Sequence, residues 1–373
     1  VPHVYEITCR YTVVAKGPSL CGMLDAMTSS LCMSSSLRGL LSRSLERVVP
    51  SWSALRPEVV EAAQLSEDTL GSLVPLVPTW PGATQPLAGG RLNVRHAGDG
   101  SPPGTVYVHG LGGSATNWTD LQALLAPVTP GAAIDLPGFG FSEPASGFDF
   151  TLTAHARVLE QYIVRSTNAP IHLVGNSMGG TIALLTAARR PDLVRSLTLV
   201  SPAMPDRRLD PRRLSDPRLP LAYLPVVGGW VRRSLARLGP SDRVRRMIEL
   251  CYAEPSRLPR QRFDEMVEEL AAVERQPWAG TAMVRSTIDI FRTWLRSGPD
   301  SLWATARRVT VPTLVVWGEQ DKLVSASRAV PTTRALPQGR LLRLADAGHV
   351  AQMERPEPVA RAVHRLWQDV SEV

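Results

Sequence analysis

Apolar residues settle into a period only from Leu37 onward. Leu37, Leu40, Leu41, Leu45, Val48 and Val49 recur at helical spacing, with Arg38, Arg43 and Arg47 among them, which predicts an amphipathic helix. A helix of that kind packs on its own domain or rests on a membrane surface, and packing is the expected arrangement. Residues 1–32 hold Cys9, Cys21 and Cys32 but no clear apolar period, and Asp25 interrupts the mildly apolar stretch around Leu20 to Leu31. They read as a poorly ordered extension, with Met23, Met27 and Met33 as alternative starts. A chain beginning at Met33 is expected to fold and keep its activity, whereas one beginning at Pro81 loses the amphipathic helix.

Beyond Pro81 short apolar runs alternate with helical periods. Strands are predicted at 91–96, 105–108, 132–135, 171–174, 196–200, 313–317 and 340–344, and helices at 117–125, 153–165, 178–189, 327–336 and 358–370. Strands that alternate with helices imply βαβ crossovers and a mostly parallel sheet covered on both faces. The strand signal stops between Pro202 and Val309. Helical periods at 231–238, 244–250, 263–273 and 283–295 take its place. The expected organisation is an extension at 1–32, a helical segment at 33–84, a core at 85–203 and 309–373, and a helical cap at 204–308.

Composition narrows the classes. Of 373 residues 44% are hydrophobic and 20% charged, which excludes wholesale disorder. No run approaches the roughly 18 apolar residues of a membrane-spanning helix, and four cysteines are too few for a disulfide scaffold at this length. The formal charge of +7 matches the excess of arginines over Asp206, Asp210, Asp216 and Asp242 in residues 206–246. A solvated helical face is the expected reading of that cluster. It lacks the aromatic interleaving and motifs of nucleic-acid binders, so no nucleic-acid partner is expected. A cytoplasmic protein is expected, with peripheral membrane contact through this cluster or the helix from Leu37; no signal fixes an oligomeric state.

The sharpest chemical signal is Gly175-Asn176-Ser177-Met178-Gly179, directly after Ile171-His172-Leu173-Val174 and before a helical run. A sharp strand-to-helix turn lifts a serine Oγ above the sheet edge in a strained conformation. Glycines two residues to either side keep Cβ atoms off the neighbouring strand and helix. A serine needs a base, and His349 is the candidate, on a loop after the strand at 340–344. Asp321, after the strand at 313–317, is the candidate to orient it, with Glu319, Asp346 and Asp206 as competitors. Two backbone donors for an oxyanion are expected at Met178 and at Leu111, within His109-Gly110-Leu111-Gly112-Gly113. His109 is expected to brace that loop, while Leu111, Met178 and Val350 would meet the substrate. Such a site needs no metal and no organic cofactor.

On these motifs, with Asp135-Leu136-Pro137-Gly138-Phe139-Gly140-Phe141-Ser142 and Gly348-His349 followed by Glu354-Arg355-Pro356, the chain resembles the α/β-hydrolase family over about 85–205 and 308–373. The resemblance implies an eight-stranded, mostly parallel sheet, a cap after the sixth strand and hydrolysis of esters or related bonds. The elbow also resembles that of hydrolases that cut carbon–carbon bonds in ring-opened aromatic dienoates. Those usually carry tryptophan after the histidine and a serine-glycine-proline loop, where this chain has Val350 and Leu111-Gly112-Gly113. The expected activity is therefore a serine esterase or lipase acting on a small ester with an apolar acyl part. Met204, Leu219, Leu221, Tyr223, Leu224 and Trp230 supply apolar surface in the cap. A non-catalytic binding member of the fold is the minor alternative.

Overall fold

The computed structural model describes residues 60–206 and 238–371. The first of these run across the sheet and its helices before any regular element begins. Ala63 N donates to Leu341 O, Leu341 N to Glu61 O, Ser66 N to Arg361 O and Gly71 N to Leu124 O. The backbone of this strap is thus paired, as partly buried chain must be. The described part of the segment at 33–84 carries no helix, contrary to the sequence reading. Pro75, Pro78 and Pro81 each deny a helix its N–H donor, and the residues before them are tied to other elements instead. The helix from Leu37 and the extension at 1–32 lie outside the described residues.

The elements follow in the order β1 (Gly82–Leu87), β2 (Gly90–Ala97), β3 (Thr105–Val108), α1 (Thr119–Leu125), β4 (Gly131–Ile134), β5 (Glu143–Pro144), α2 (Leu152–Ser166), β6 (Ile171–Asn176), α3 (Met178–Arg189) and β7 (Val194–Val200). After them come α4 (Pro240–Cys251), α5 (Arg260–Val273), α6 (Ala279–Leu295), α7 (Leu302–Arg307), β8 (Thr313–Gly318), α8 (Ala329–Ala335), β9 (Gly339–Leu344), α9 (Ala351–Glu354) and α10 (Pro356–Ser371). Helices α4, α5 and α6 realise the periods at 244–250, 263–273 and 283–295. The period at 231–238 lies, but for its last residue, outside the described residues.

The sheet runs β1-β2-β4-β3-β6-β7-β8-β9, with the two-residue β5 paired to β2. Pairs involving β1, β2 and β5 are antiparallel, and the rest are parallel. The expected mostly parallel sheet of eight strands is therefore present, with the short β5 paired to the start of β2. Strands β3, β4, β6 and β8 are buried along their whole length. Helices on both faces exclude water from both rows of side chains, which is why these strands read as continuous apolar runs. Successive residues still point to opposite faces. Val106, Leu173 and Val315 enter the layer containing Leu159 and Ile182, while Tyr107, Val174 and Val316 enter the layer containing Trp118 and Trp367.

Candidate active site

Everything of chemical interest sits where the parallel strands end, the edge at which open α/β sheets place their ligands. Ser177 follows β6 with φ 53° and ψ −117°, a left-handed conformation costly for a residue with a Cβ. The surroundings hold it there: Ser177 N donates to Val200 O at 3.0 Å, and its own carbonyl accepts from Ala203 N at 3.0 Å. From Ile171 to Leu184 it is the single residue not buried. The flanking glycines are obligatory. A Cβ on Gly175 would lie 2.5 Å from Gly179 O, and one on Gly179 would lie 2.2 Å from Val108 O.

His349 lies on the loop after β9 and donates through Nδ1 to the Asp321 carboxylate oxygen Oδ2 at 2.8 Å. The carboxylate is fixed in turn, since its Oδ1 accepts from Leu323 N and Val324 N at 2.8 and 2.9 Å. Its side chain is fully buried. The histidine loop is tied to the turn by a side chain: Asn176 Nδ2 donates to His349 O at 3.1 Å, one residue before Ser177. The competing acids are engaged elsewhere. Glu319 pairs with Arg343, Asp346 with Arg257 and Arg355, and Asp206 accepts from Ser325 N at 3.2 Å.

The loop after β3 closes the other side. A Cβ on Gly110 would stand 3.2 Å from the Ser177 Cβ, so Leu111 follows immediately on the residue against the serine. Met178 is fully buried at the start of α3. His109 braces this loop as expected: its Nε2 accepts from Leu136 N at 2.9 Å, and its Nδ1 meets Gly110 O at 2.7 Å. This geometry puts the proton on Nδ1. Burial holds its pKa below the ordinary histidine value, against the pull of Asp135, so the ring stays neutral. Asp135 is itself clamped by Ala115 N, Asn93 Nδ2 and Phe141 N at 2.6, 2.7 and 2.8 Å. A Cβ on Gly140, whose φ is 50°, would come within 2.2 Å of the Asp135 carboxylate. The Asp135–Ser142 motif thus serves the loop after β3 at one remove.

Two site neighbours escaped the sequence reading. Glu354, quoted only as part of a motif, accepts from Gly348 N at 2.7 Å, Glu254 N at 2.7 Å and Ala253 N at 3.0 Å. It clips the end of α4 to the histidine loop, and His349 N completes the clip by donating to Cys251 O at 2.7 Å. Met283 of α6 reaches over the loop after β3, its Cε 2.8 Å from where a Gly112 Cβ would stand. The bonds from Glu354 to the end of α4 and the reach of Met283 to Gly112 have no local sequence signal, because each joins segments more than 90 residues apart. Of the apolar cap residues, Met204 is fully buried; Leu219, Leu221, Tyr223, Leu224 and Trp230 lie outside the described residues. Val350, half-buried, packs beside Val244 and Ile248. Among the described residues no group of His, Cys, Asp and Glu side chains is placed to hold a metal ion.

The sequence profile of the alpha/beta hydrolase fold matches residues 106–356. The chain belongs to that family. It is 29% identical over 266 residues to the dihydrolipoyllysine-residue acetyltransferase component of the acetoin cleaving system of Cupriavidus necator, covering 71% of this chain and 63% of that protein. It is 24% identical over 266 residues to monoacylglycerol lipase ABHD6 of Rattus norvegicus, covering 71% of this chain and 75% of the relative. Among solved structures it is similar to the 2-hydroxy-6-oxo-6-phenylhexa-2,4-dienoate hydrolase of Rhodococcus sp. strain RHA1, with TM-score 0.62 and 24% identity over 77% of this chain and 98% of that one. That likeness shows the fold. Lipases and carbon–carbon bond hydrolases both stand among the relatives.

Proposed function

We propose that the chain is a serine hydrolase that cleaves carboxylic esters through an acyl-enzyme. The observation that carries the reading is Ser177, held at φ 53° on the strand-to-helix turn, at the same sheet edge as the His349–Asp321 pair. His349 Nε2 takes the Ser177 proton as Oγ attacks the ester carbonyl. Asp321 orients the ring and stabilises the imidazolium. The Leu111 and Met178 N–H groups receive the oxyanion, and the α3 N-terminus adds its partial positive charge. The imidazolium then protonates the leaving alcohol. A water that gives its proton to His349 attacks the acyl-enzyme and releases the acid and Ser177.

The insert at 204–308 acts in this reading as a cap, fastened to the histidine loop by Glu354 and reaching the oxyanion loop through Met283. Leu111, Met283 and Val350 would present an apolar lining to the acyl part of the ester, and Met178 would meet the substrate through its backbone N–H. Peripheral contact with a bilayer belongs to the same reading.

Ser177→Ala should lower turnover of a nitrophenyl ester by a factor of about 10⁴ or more, and His349→Ala on top of it should add little, because the members act as a unit. Activity at wild-type level in Ser177→Ala ends the assignment and leaves a non-catalytic member of the fold. A ring-opened dienoate assayed beside a chain-length series of esters separates the two hydrolytic readings. Faster turnover of the dienoate would move the chain to the carbon–carbon class.

A further inference from the structure

Helix α6 is built inside out. Its buried positions include Ser286, Asp289 and Thr293 beside Ala282 and Ile290. Its outward residues are Val284, Ile288, Phe291 and Leu295, with Phe291 55% and Leu295 74% exposed. The rotation of the helix is not free. Asp289 Oδ2 accepts from Leu152 N at 2.8 Å, Ser286 Oγ donates to Phe150 O at 3.2 Å, and Trp294 Nε1 donates to Ala203 O at 2.8 Å. These bonds pin the polar face to the core and turn the apolar stripe away from it.

The stripe has a one-sided electrostatic setting. Arg285, Arg292 and Arg296 are exposed along it, and the helix's single acid, Asp289, is buried on the opposite side. One residue past Leu295 opens a hollow of about 650 Å³ lined by Arg296, Trp303 and Arg307. Apolar residues in line, cations beside them and no outward carboxylate on the helix itself, with exposed Asp300 at the rim of the hollow outnumbered by Arg296 and Arg307, match the interior and headgroup layers of an anionic bilayer.

We propose that the outer face of α6, with the hollow at its C-terminal end, is a docking surface for a bilayer rich in anionic lipid. Phe291 and Leu295 enter the boundary between headgroups and acyl chains, and the arginines meet the headgroup phosphates. The first turns of the same helix carry Met283 to the loop beside Ser177, so one helix joins the docked face to the surroundings of the serine. The surface stands independently of the proposed reaction, since docking requires no turnover.

The test is sedimentation of the full chain with vesicles of phosphatidylglycerol and phosphatidylcholine, against phosphatidylcholine alone. Wild-type protein and Ser177→Ala should both partition onto the anionic vesicles, and added salt should weaken the partition. F291D/L295D should lose at least tenfold in partition while hydrolysing a soluble nitrophenyl ester at the wild-type rate. R285Q/R292Q/R296Q should lose the salt-sensitive part, and decides the matter if the first variant fails to fold. The proposal is overturned if wild-type protein does not sediment, or if both variants bind as wild type does. It is equally overturned if F291D/L295D dissociates a wild-type dimer on gel filtration or lowers the melting temperature by several degrees. Those two results would show the face already covered, by a second copy or by the chain itself.

Discussion

Helix α3 buries nine of its 12 residues and α6 only five of its 17. Both read as helices in the sequence, α3 as an apolar helical run and α6 as a period, yet the molecule uses them in opposite ways. Helix α3 lies between the sheet and its neighbours with apolar side chains on every side, Ile182, Ala183 and Leu184 all fully buried. Helix α6 turns Ser286, Asp289 and Thr293 inward and the stripe from Val284 to Leu295 outward. A period shows that one side of a helix differs from the other; it does not say which side faces the core. That is settled by long-range partners such as Leu152 N and Phe150 O, which no local pattern contains. The contrast also follows function in the proposed reading. The helix behind the nucleophile has to hold a strained turn still, so it is packed tightly, while the helix over the site has a face to spare.

The tight packing of α3 gives the largest expected effect. A Cβ at Gly179 would meet two backbone oxygens, Val108 O at 2.2 Å and His109 O at 2.4 Å. Neither can swing aside as a flexible side chain would. Gly179→Ala should therefore cost about 2–4 kcal/mol in urea unfolding, and should depress ester turnover because the displaced strand end carries the loop with Leu111. A stability loss below about 1 kcal/mol would mean that α3 is no more constrained than α6.

Burial and steric demand also decide which parts of the molecule are legible in its sequence. Buried parallel strands declare themselves through runs such as Ile171-His172-Leu173-Val174, and the elbow declares itself because its glycines are sterically required. Strand β1 was missed because Gly82–Leu87 is exposed nearly throughout and pairs only at the sheet edge, so nothing selects an apolar pattern. The strap at 60–81 was missed for a related reason. Its order comes from backbone bonds to Leu341, Arg361 and Leu124, which are blind to side-chain period. At the site, Ser177, Asp321 and His349 could be placed from strand ends alone. Glu354 could not be given a role, because its three backbone donors come from Gly348 and from the far end of α4.

Acid should distinguish the two helices next. His155 of α2 faces α6, its Nε2 3.5 Å from Ser286 Oγ, within a cluster of Phe139, Phe148 and Phe150. Burial pushes its pKa down to about 3, with the neighbouring His109 adding to the shift. A depressed histidine favours the folded state only while neutral. Its contribution is whole above the unfolded value near 6.5 and is lost as the pH falls toward about 3. Each such group adds a slope of up to about 1.4 kcal/mol per pH unit. His172, pushed down to about 4 and stacked on Trp367, adds its share from the other sheet face, away from α6. Hydrogen exchange corrected for intrinsic rates should therefore show α6 amides opening before those of α3 between pH 6.5 and 4.5. His155→Phe should flatten the acid limb and remove that order. Equal opening of the two helices would mean that the junction at His155 does not govern α6.

The smallest effect should run in the opposite direction. Gly280 stands in the first turn of α6, at a backbone φ open to any residue, and a Cβ there would meet nothing within 4 Å. Alanine restricts the unfolded chain and favours the helix. Gly280→Ala should therefore stabilise the protein, by about 0.5 kcal/mol, since a first-turn position realises only part of the propensity difference. The urea midpoint should rise at an unchanged slope, because neither state changes its buried surface appreciably. Set beside Gly179→Ala, one substitution made twice then carries opposite signs in two helices of one chain. The sign is decided by whether backbone or open solvent waits for the new methyl group. Should Gly280→Ala destabilise instead, some other part of the molecule packs on the start of α6, and the outward face of that helix is shorter than its exposed side chains indicate.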